Sequence, residues 1–363
     1  MNILLIQLLM LMTSPPDFPC AEYSIKCYPE TVHIGDTFYV LVEAYNPYEH
    51  PIGIPDGFTY LYTGPVSIHM SLTNTEDKTI PLFVEEVYYQ HLRHIIGFVA
   101  IPPKDKRTIG ILAINIPPLE YLQGSPFWED TLKSLPSEAT INLTVNTLVP
   151  ELGKDMYFAK REWVIPEFSE DMLFAKSEEK SFAFHQKIHL QLRPQKEMEL
   201  ITQWRKNIPQ DAYLILDEGQ LPPYNIPSFV WYIRCLPPWY FVRLGNRYPG
   251  DPNAPETWQG WKELEESITP STMRDEIRLT RILIQYCDTK DKKVLDELKT
   301  WFDDMNEIQR VCMAKSIRDR AEHTYGTDLL PQFCEIYKTI REYDVVPIPE
   351  SNQQHLRNLG LIE

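Results

Sequence analysis

The sequence predicts an α+β chain in more than one domain, a β-sandwich to about Arg193 and then an all-α half, built as a helical bundle or a stack of helical pairs. Three observations carry this reading. The chain has 363 residues, more than one ordinary core organises. Its first half holds about eight short runs of alternating apolar residues with turn signals between them, the signature of a two-sheet sandwich. The side-chain rhythm then changes within residues 181–204. Phe182, Phe184, Ile188, Leu190 and Leu192 alternate with Ala183, His185, Lys187, His189, Gln191 and Arg193 at the period of a half-buried strand. Pro194 removes a backbone donor where a helix can start. Met198, Ile201 and Trp204, with Leu200 beside them, then follow at helical spacing.

The strands are taken in order. Residues 21–27 form the first. Gly35-Asp36 is a turn, followed by Phe38, Val40, Val42 and Ala44 on one face and Thr37, Tyr39, Leu41, Glu43 and Tyr45 on the other, until Asn46-Pro47 ends the run. This run, Gly-Asp-x-aromatic-x-Val-x-Val-x-Ala-x-Asn-Pro, resembles a strand of the bacterial immunoglobulin-like modules of exported proteins. The resemblance covers residues 23–47 and implies an immunoglobulin-like sandwich over residues 21–193; it carries no functional residues. Val66, Ile68, Met70 and Leu72 alternate, and residues 74–78 turn the chain into a strand over 80–84. Residues 95–101 and 108–116 pair across a turn at 102–107. A long insertion over 117–136 holds one short helix near 127–135. Strands at 139–149, 161–165 and 182–192 complete the set.

Residues 208–255 mix nine prolines with Tyr213, Tyr224, Trp231, Tyr232, Trp239 and Tyr240. A structureless loop of that length is uncommon in a compact domain, so short pieces packed by their aromatics are expected. Helices follow over 256–268, 272–287, 290–302 and 306–325. Thr269-Pro270-Ser271 breaks the first and caps the second, Gly326 stops the fourth, and Thr327 caps the last, whose face is Phe333, Ile336, Tyr337 and Ile340. Short connections make neighbours antiparallel. The helical domain spans 194–345, and residues 346–363 form a loosely held tail.

A hydrophobic content of 43% and a charged content of 24% place the chain among globular proteins. The net charge is −16 without any basic block, which argues against nucleic acid and anionic lipid surfaces as partners. Residues 1–12 are an apolar run too short to span a bilayer, and residues 1–20 read as a signal peptide and N-terminal segment, though no Lys or Arg precedes the run and Thr13-Ser14-Pro15-Pro16 lacks a clean cleavage site. The mature chain is expected to lack a membrane span and to be periplasmic, cell-envelope or secreted. Six cysteines stand at 20, 27, 235, 287, 312 and 334 without a CxxC pair. Cys20 and Cys27 suit a bridge in an oxidising compartment, whereas Cys287, Cys312 and Cys334 sit in helical patterns as small buried hydrophobes.

Candidate chemistry is sparse. His91 and His94 have metal-like spacing without a third ligand. His185 and His189 lie four apart on a strand, roughly 13 Å at about 3.3 Å per residue, too far for one ion. Neither metal nor cofactor is expected. Asp217 and Glu218 follow an apolar strand-like run, where carboxylates serve acid/base chemistry or simply make a turn. Arg274, Arg278 and Arg281 form a helical stripe suited to an anion, or to pairing with Asp275, Glu276 and acids on neighbouring helices. Trp231, Trp239, Trp258 and Trp261 suit a stacking platform for a sugar, or packing between helices. The expected role is a non-catalytic binding or structural interaction module with a protein or polysaccharide partner. The alternative is a carbohydrate-binding or carbohydrate-hydrolysing protein using the aromatics of 221–261 with Asp217 or Glu218.

Overall fold

The computed structural model describes residues 21–49, 52–55, 66–85, 98–117, 119, 132–133, 135–150, 177–206, 257–323, 328–346, 348 and 350–363. Strands come first and helices after, an α+β order. The expected signal segment, the strand at 161–165 and the segment 208–255 lie outside the described residues.

Eleven strands are described: β1 (Glu22–Tyr28), β2 (Thr31–His33), β3 (Thr37–Tyr45), β4 (Ile52–Pro55), β5 (Val66–Asn74), β6 (Thr79–Pro81), β7 (Phe83–Glu85), β8 (Phe98–Ile101), β9 (Lys106–Asn115), β10 (Ser137–Pro150) and β11 (Ser177–Gln191). They build a four-stranded sheet in the order β1-β3-β9-β7, a five-stranded sheet in the order β2-β11-β10-β5-β6, and the pair β4-β8. The two larger sheets close over one core. Phe38, Val40 and Val42 of β3 and Leu112 and Ile114 of β9 meet Leu72 of β5, Ile141 and Leu143 of β10, and Ile188 and Leu190 of β11. Opposite β3, the register of β9 slips between Val42 and Glu43, and the intervening Ile109 is buried in the core as a bulge. The turn at 74–78 is fixed by Asn74, whose Oδ1 accepts from the amides of Glu76 and Lys78 at 2.9 Å. The strand expected over 80–84 is two strands. β6 pairs in the second sheet and β7 in the first, with Leu82 buried where the chain crosses between them.

Seven α-helices are described: α1 (Gln195–Lys206), α2 (Thr257–Ser267), α3 (Thr272–Thr289), α4 (Lys292–Asp304), α5 (Glu307–His323), α6 (Leu330–Ile340) and α7 (Glu350–Leu359). The break at 269–271 is as expected: Ser271 caps α3, its Oγ accepting from the Arg274 amide at 3.3 Å. Asp291 caps α4 through the Lys293 amide, and Lys290 between them takes a left-handed conformation. Gly326 and Thr327 lie outside the described residues. The N-cap of α6 is Leu329, which makes no side-chain cap bond, and Pro331 stands in the first turn.

Two further expectations are corrected. The tail after 346 is not loose, because α7 and the residues after it bury Leu356, Leu359 and Leu361 in the helical core. Nor does Arg193 divide the sandwich core from the helical one. The helical core takes in Tyr39 of β3 and Ala113 of β9, while Leu41 packs with Val311 and Val346. The first sheet is therefore a middle layer, with the second sheet on one face and α3 and α5 on the other. Its central strand shows why: Thr37 through Ala44 are all buried. A strand covered on both faces carries an unbroken apolar run rather than a clean alternation.

Candidate functional site

Among the described residues, a group of buried charges lies where the first sheet meets the helices. At the end of β11 the chain leaves the sheet, so the alternation stops one residue short of the expected end. Leu192 turns outward (39% exposed), and Arg193, expected to face solvent, is 4% exposed. Its Nη2 donates to both carboxylate oxygens of Asp36 at 2.6 Å and to Ser271 Oγ at 2.8 Å, and its Nη1 donates to Glu197 Oε2 at 2.9 Å. Glu197 Oε1 accepts in turn from the amide of Thr269 at 3.1 Å and from its hydroxyl. Asp36, a turn residue by sequence, is buried as the counter-charge. The turn that holds it runs through Gly35, whose φ of +84° favours glycine.

Further along β3, the Thr272 hydroxyl donates to Thr37 O at 2.5 Å. The Tyr39 hydroxyl donates to Glu276 Oε1 at 3.1 Å, and Arg320 of α5 donates to Glu276 Oε2 at 3.1 Å. Beside them Asp275 accepts from Gln309 Nε2 at 2.7 Å. Burial, and then the neighbouring Glu276 charge, push the Asp275 carboxyl up to about 7. At the rim Lys26 of β1 bridges Glu43 at 3.2 Å and Glu307 at 2.8 Å.

A second group of charges lies on α5 itself. Lys315, Arg318, Asp319 and Arg320 are all buried, which no amphipathic reading of that helix anticipates. Lys315 pairs with Asp319 at 2.6 Å, and Arg318 pairs with Asp344 at 2.9 Å, itself bonded to the Tyr337 hydroxyl at 2.8 Å. Burial raises the Asp344 carboxyl despite Arg318. It also pushes Glu322 up to about 7, with the Asp319 charge adding to the effect.

Such clusters mark functional sites and structural ion-pair networks alike. Lys315 and Asp319 share α5 and Arg318–Asp344 ties α5 to the segment after α6, while the first group joins different elements and holds the sheet against the helices. The arginine stripe shows the same use. Arg281 donates to Glu265 of α2 at 3.0 Å and is salt-bridged to Glu297 of α4, while Arg278 lies 4.8 Å over the Trp301 ring. Arg281 holds the Glu297 carboxyl below its usual range. Asp275 and Glu276 are not the stripe's described hydrogen-bond or ion-pair partners; they turn to Gln309 and to Tyr39 with Arg320.

Of the aromatic and acidic residues singled out in the sequence, Trp261 is 6% exposed and its ring lies 4.9 Å from that of Trp204, tilted by 59°, between α2 and α1. Trp258 is half-buried. Trp231, Trp239, Asp217, Glu218 and the pair His91 and His94 lie outside the described residues. His185 and His189 are exposed on β11, and His185 Nδ1 is 2.8 Å from Asn142 Oδ1. Among the described residues no three His, Cys, Asp or Glu side chains are grouped to hold a metal ion, and no helix is long and apolar enough to cross a membrane. Cys27 carries a free thiol that burial pushes up to about 12. Arg193, Asp36, Glu197 and Glu276 escape sequence reasoning as a group because their positions lie up to 240 apart (36 to 276) in the chain. The one local signal is the unbroken run over residues 38–42, which marks a strand covered on both faces.

No family model matches the chain, and no curated protein matches it. Among solved structures, native alpha-2-macroglobulin from Escherichia coli, spanning domain MG7 to the C-terminus, is similar at 13% identity with a TM-score of 0.22. The match covers 90% of this chain and 54% of that one, so this chain spans about half the length of the structure it matches.

Proposed function

We propose that this chain is an exported, non-catalytic interaction module of the cell envelope or extracellular space, an immunoglobulin-like sandwich with a helical half seated on one sheet. The observation that supports it is the division of labour between the two sheets. The first is consumed by internal packing. The second turns outward a polar ladder across three paired strands, Ser71, Asn142 and His185 in one rung and Thr73, Thr140 and Lys187 in the next. Asn142 Nδ2 donates to Thr73 Oγ1 at 2.8 Å, Thr73 meets Thr79 at 2.8 Å, and His185 bonds to Asn142. These bonds hold short side chains in fixed positions, so a partner finds a pre-ordered polar surface and little side-chain entropy is lost on binding.

The compartment is tested by fractionating cells that make the full chain and weighing the mature N-terminus. A processed chain outside the cytoplasm is expected, and a cytoplasmic chain retaining Met1 overturns the export. The surface is tested by photo-crosslinking from Lys187 in those cells. A defined crosslinked species is expected that Asn142→Lys abolishes without changing the melting temperature; a species insensitive to that substitution overturns the ladder as the binding face.

A further inference from the structure

We infer that Arg193 is a latch that commits the helical half to one orientation on the sandwich and makes the two open together. The observation is convergence on one buried guanidinium. It reaches the turn before β3 through Asp36, the first turn of α1 through Glu197, and the N-cap of α3 through Ser271. Asp36 lies 157 positions away in sequence and Ser271 lies 78. A rigid fork of five donors meets three acceptors in different directions; an ammonium on a flexible stem does not hold that geometry. Glu197 extends the grip to Thr269, so the α2–α3 connection is held at two neighbouring points.

The contacts are mutually dependent. If α3 withdraws, Ser271 and Thr269 leave together, and Glu197 keeps a buried charge with fewer donors. If Arg193 itself withdraws, Asp36 and Glu197 are left as buried carboxylates without their cation, which is costlier than losing one ordinary hydrogen bond. The latch stands at the crossing point of the chain, between the last residue of β11, Gln191, and the first of α1, Gln195. From there Thr272 on Thr37 and Glu276 on Tyr39 continue the contact along β3. Opening at this end therefore begins to expose the apolar face of Tyr39, Leu41 and Ala113.

Native-state hydrogen exchange on the full chain tests the coupling. The amides of Thr37–Tyr45 and of Thr272–Thr289 are expected to share one opening step with the same denaturant dependence. Exchange of α3 while β3 stays protected overturns the inference. The triple substitution Arg193→Met, Asp36→Asn, Glu197→Gln removes the fork and leaves no stranded charge. It is expected to split the calorimetric melt of the full chain into two steps where the parent chain shows one. A parent chain that melts in two steps, or a triple variant that melts in one, overturns the latch. Arg193→Lys serves if the triple variant does not fold. It keeps the charge and loses the fork, and is expected to speed exchange in β3 relative to β10; unchanged exchange overturns the inference.

Discussion

Arg193 illustrates how a single side chain can be worth more by its removal than by its presence. A buried ion pair gains little net stability over well-packed apolar groups, yet deleting one partner leaves the other charged and dry. Arg193→Met alone is therefore expected to destabilise the chain by about 3–5 kcal/mol in urea titration. Adding Asp36→Asn and Glu197→Gln is expected to recover part of that loss, which distinguishes stranded charge from lost packing. Asp275 gives a prediction of opposite character. Its folded carboxyl, at about 7, lies above the value of 3.8 it has when unfolded, so the folded chain binds more protons between the two. The stabilisation is fully present below about 4 and is lost as pH rises through about 7; Glu322 acts in the same direction. Urea midpoints are expected to fall between pH 5 and pH 8. Asp275→Asn, which keeps an acceptor for Gln309, is expected to flatten that fall and raise the midpoint at pH 8. None of this was legible in the sequence: Arg193 continued an outward-facing alternation, and Asp36 read as a turn residue. Their burial follows from a chain crossing that local periodicity does not encode.

The elements were legible in proportion to how one-sided they are. β10 and β11 are covered on one face, and their alternation placed β10 to within two residues and the C-terminal end of β11 to within one, while β11 begins five residues earlier than expected, at Ser177. α3 announced itself by the Ser271 cap and α4 by its helical spacing, although the Asp291 cap of α4 was not read. β3 was found as a strand but half understood, since only Phe38, Val40, Val42 and Ala44 were assigned inward. Tyr39 and Leu41 are equally buried, against helices that lie more than two hundred positions downstream. α5 carries its charges inward as well as outward, so its environment had no periodic signature. α7 was missed for a different reason. Residues 350–359 hold few apolar side chains, and Leu356, Leu359 and the following Leu361 become a face only once they meet the helical core. Leu356→Ala is expected to cost about 2–5 kcal/mol, the range for a buried leucine, and denaturant titration of the full chain measures it. A loose tail would show no loss. Ser271→Ala is expected to cost about 1 kcal/mol or more, since it removes the cap of α3 and one acceptor of Arg193 together.

For the whole molecule, the layered arrangement of sheet, sheet and helices sets which disruptions stay local. Phe38 faces the sandwich core and Tyr39 the helical one, one residue apart on the same strand. Phe38→Ala and Tyr39→Ala are each expected to destabilise by about 3–5 kcal/mol, the range for truncating a buried aromatic. Both are expected to shift tryptophan fluorescence and far-ultraviolet dichroism transitions by the same amount. A Tyr39→Ala chain whose helices melt early while its strands hold would separate the two cores. The shared strand also bears on how the chain is made. The last sandwich strand ends at Gln191, and Glu276 follows 85 residues later (191 to 276). At about 5–20 residues per second, the ribosome needs roughly four to seventeen seconds to reach the helix that covers this face. Through that interval a sandwich that closes first presents Tyr39, Leu41 and Ala113 to water, an apolar face that waits for the second half of its own chain.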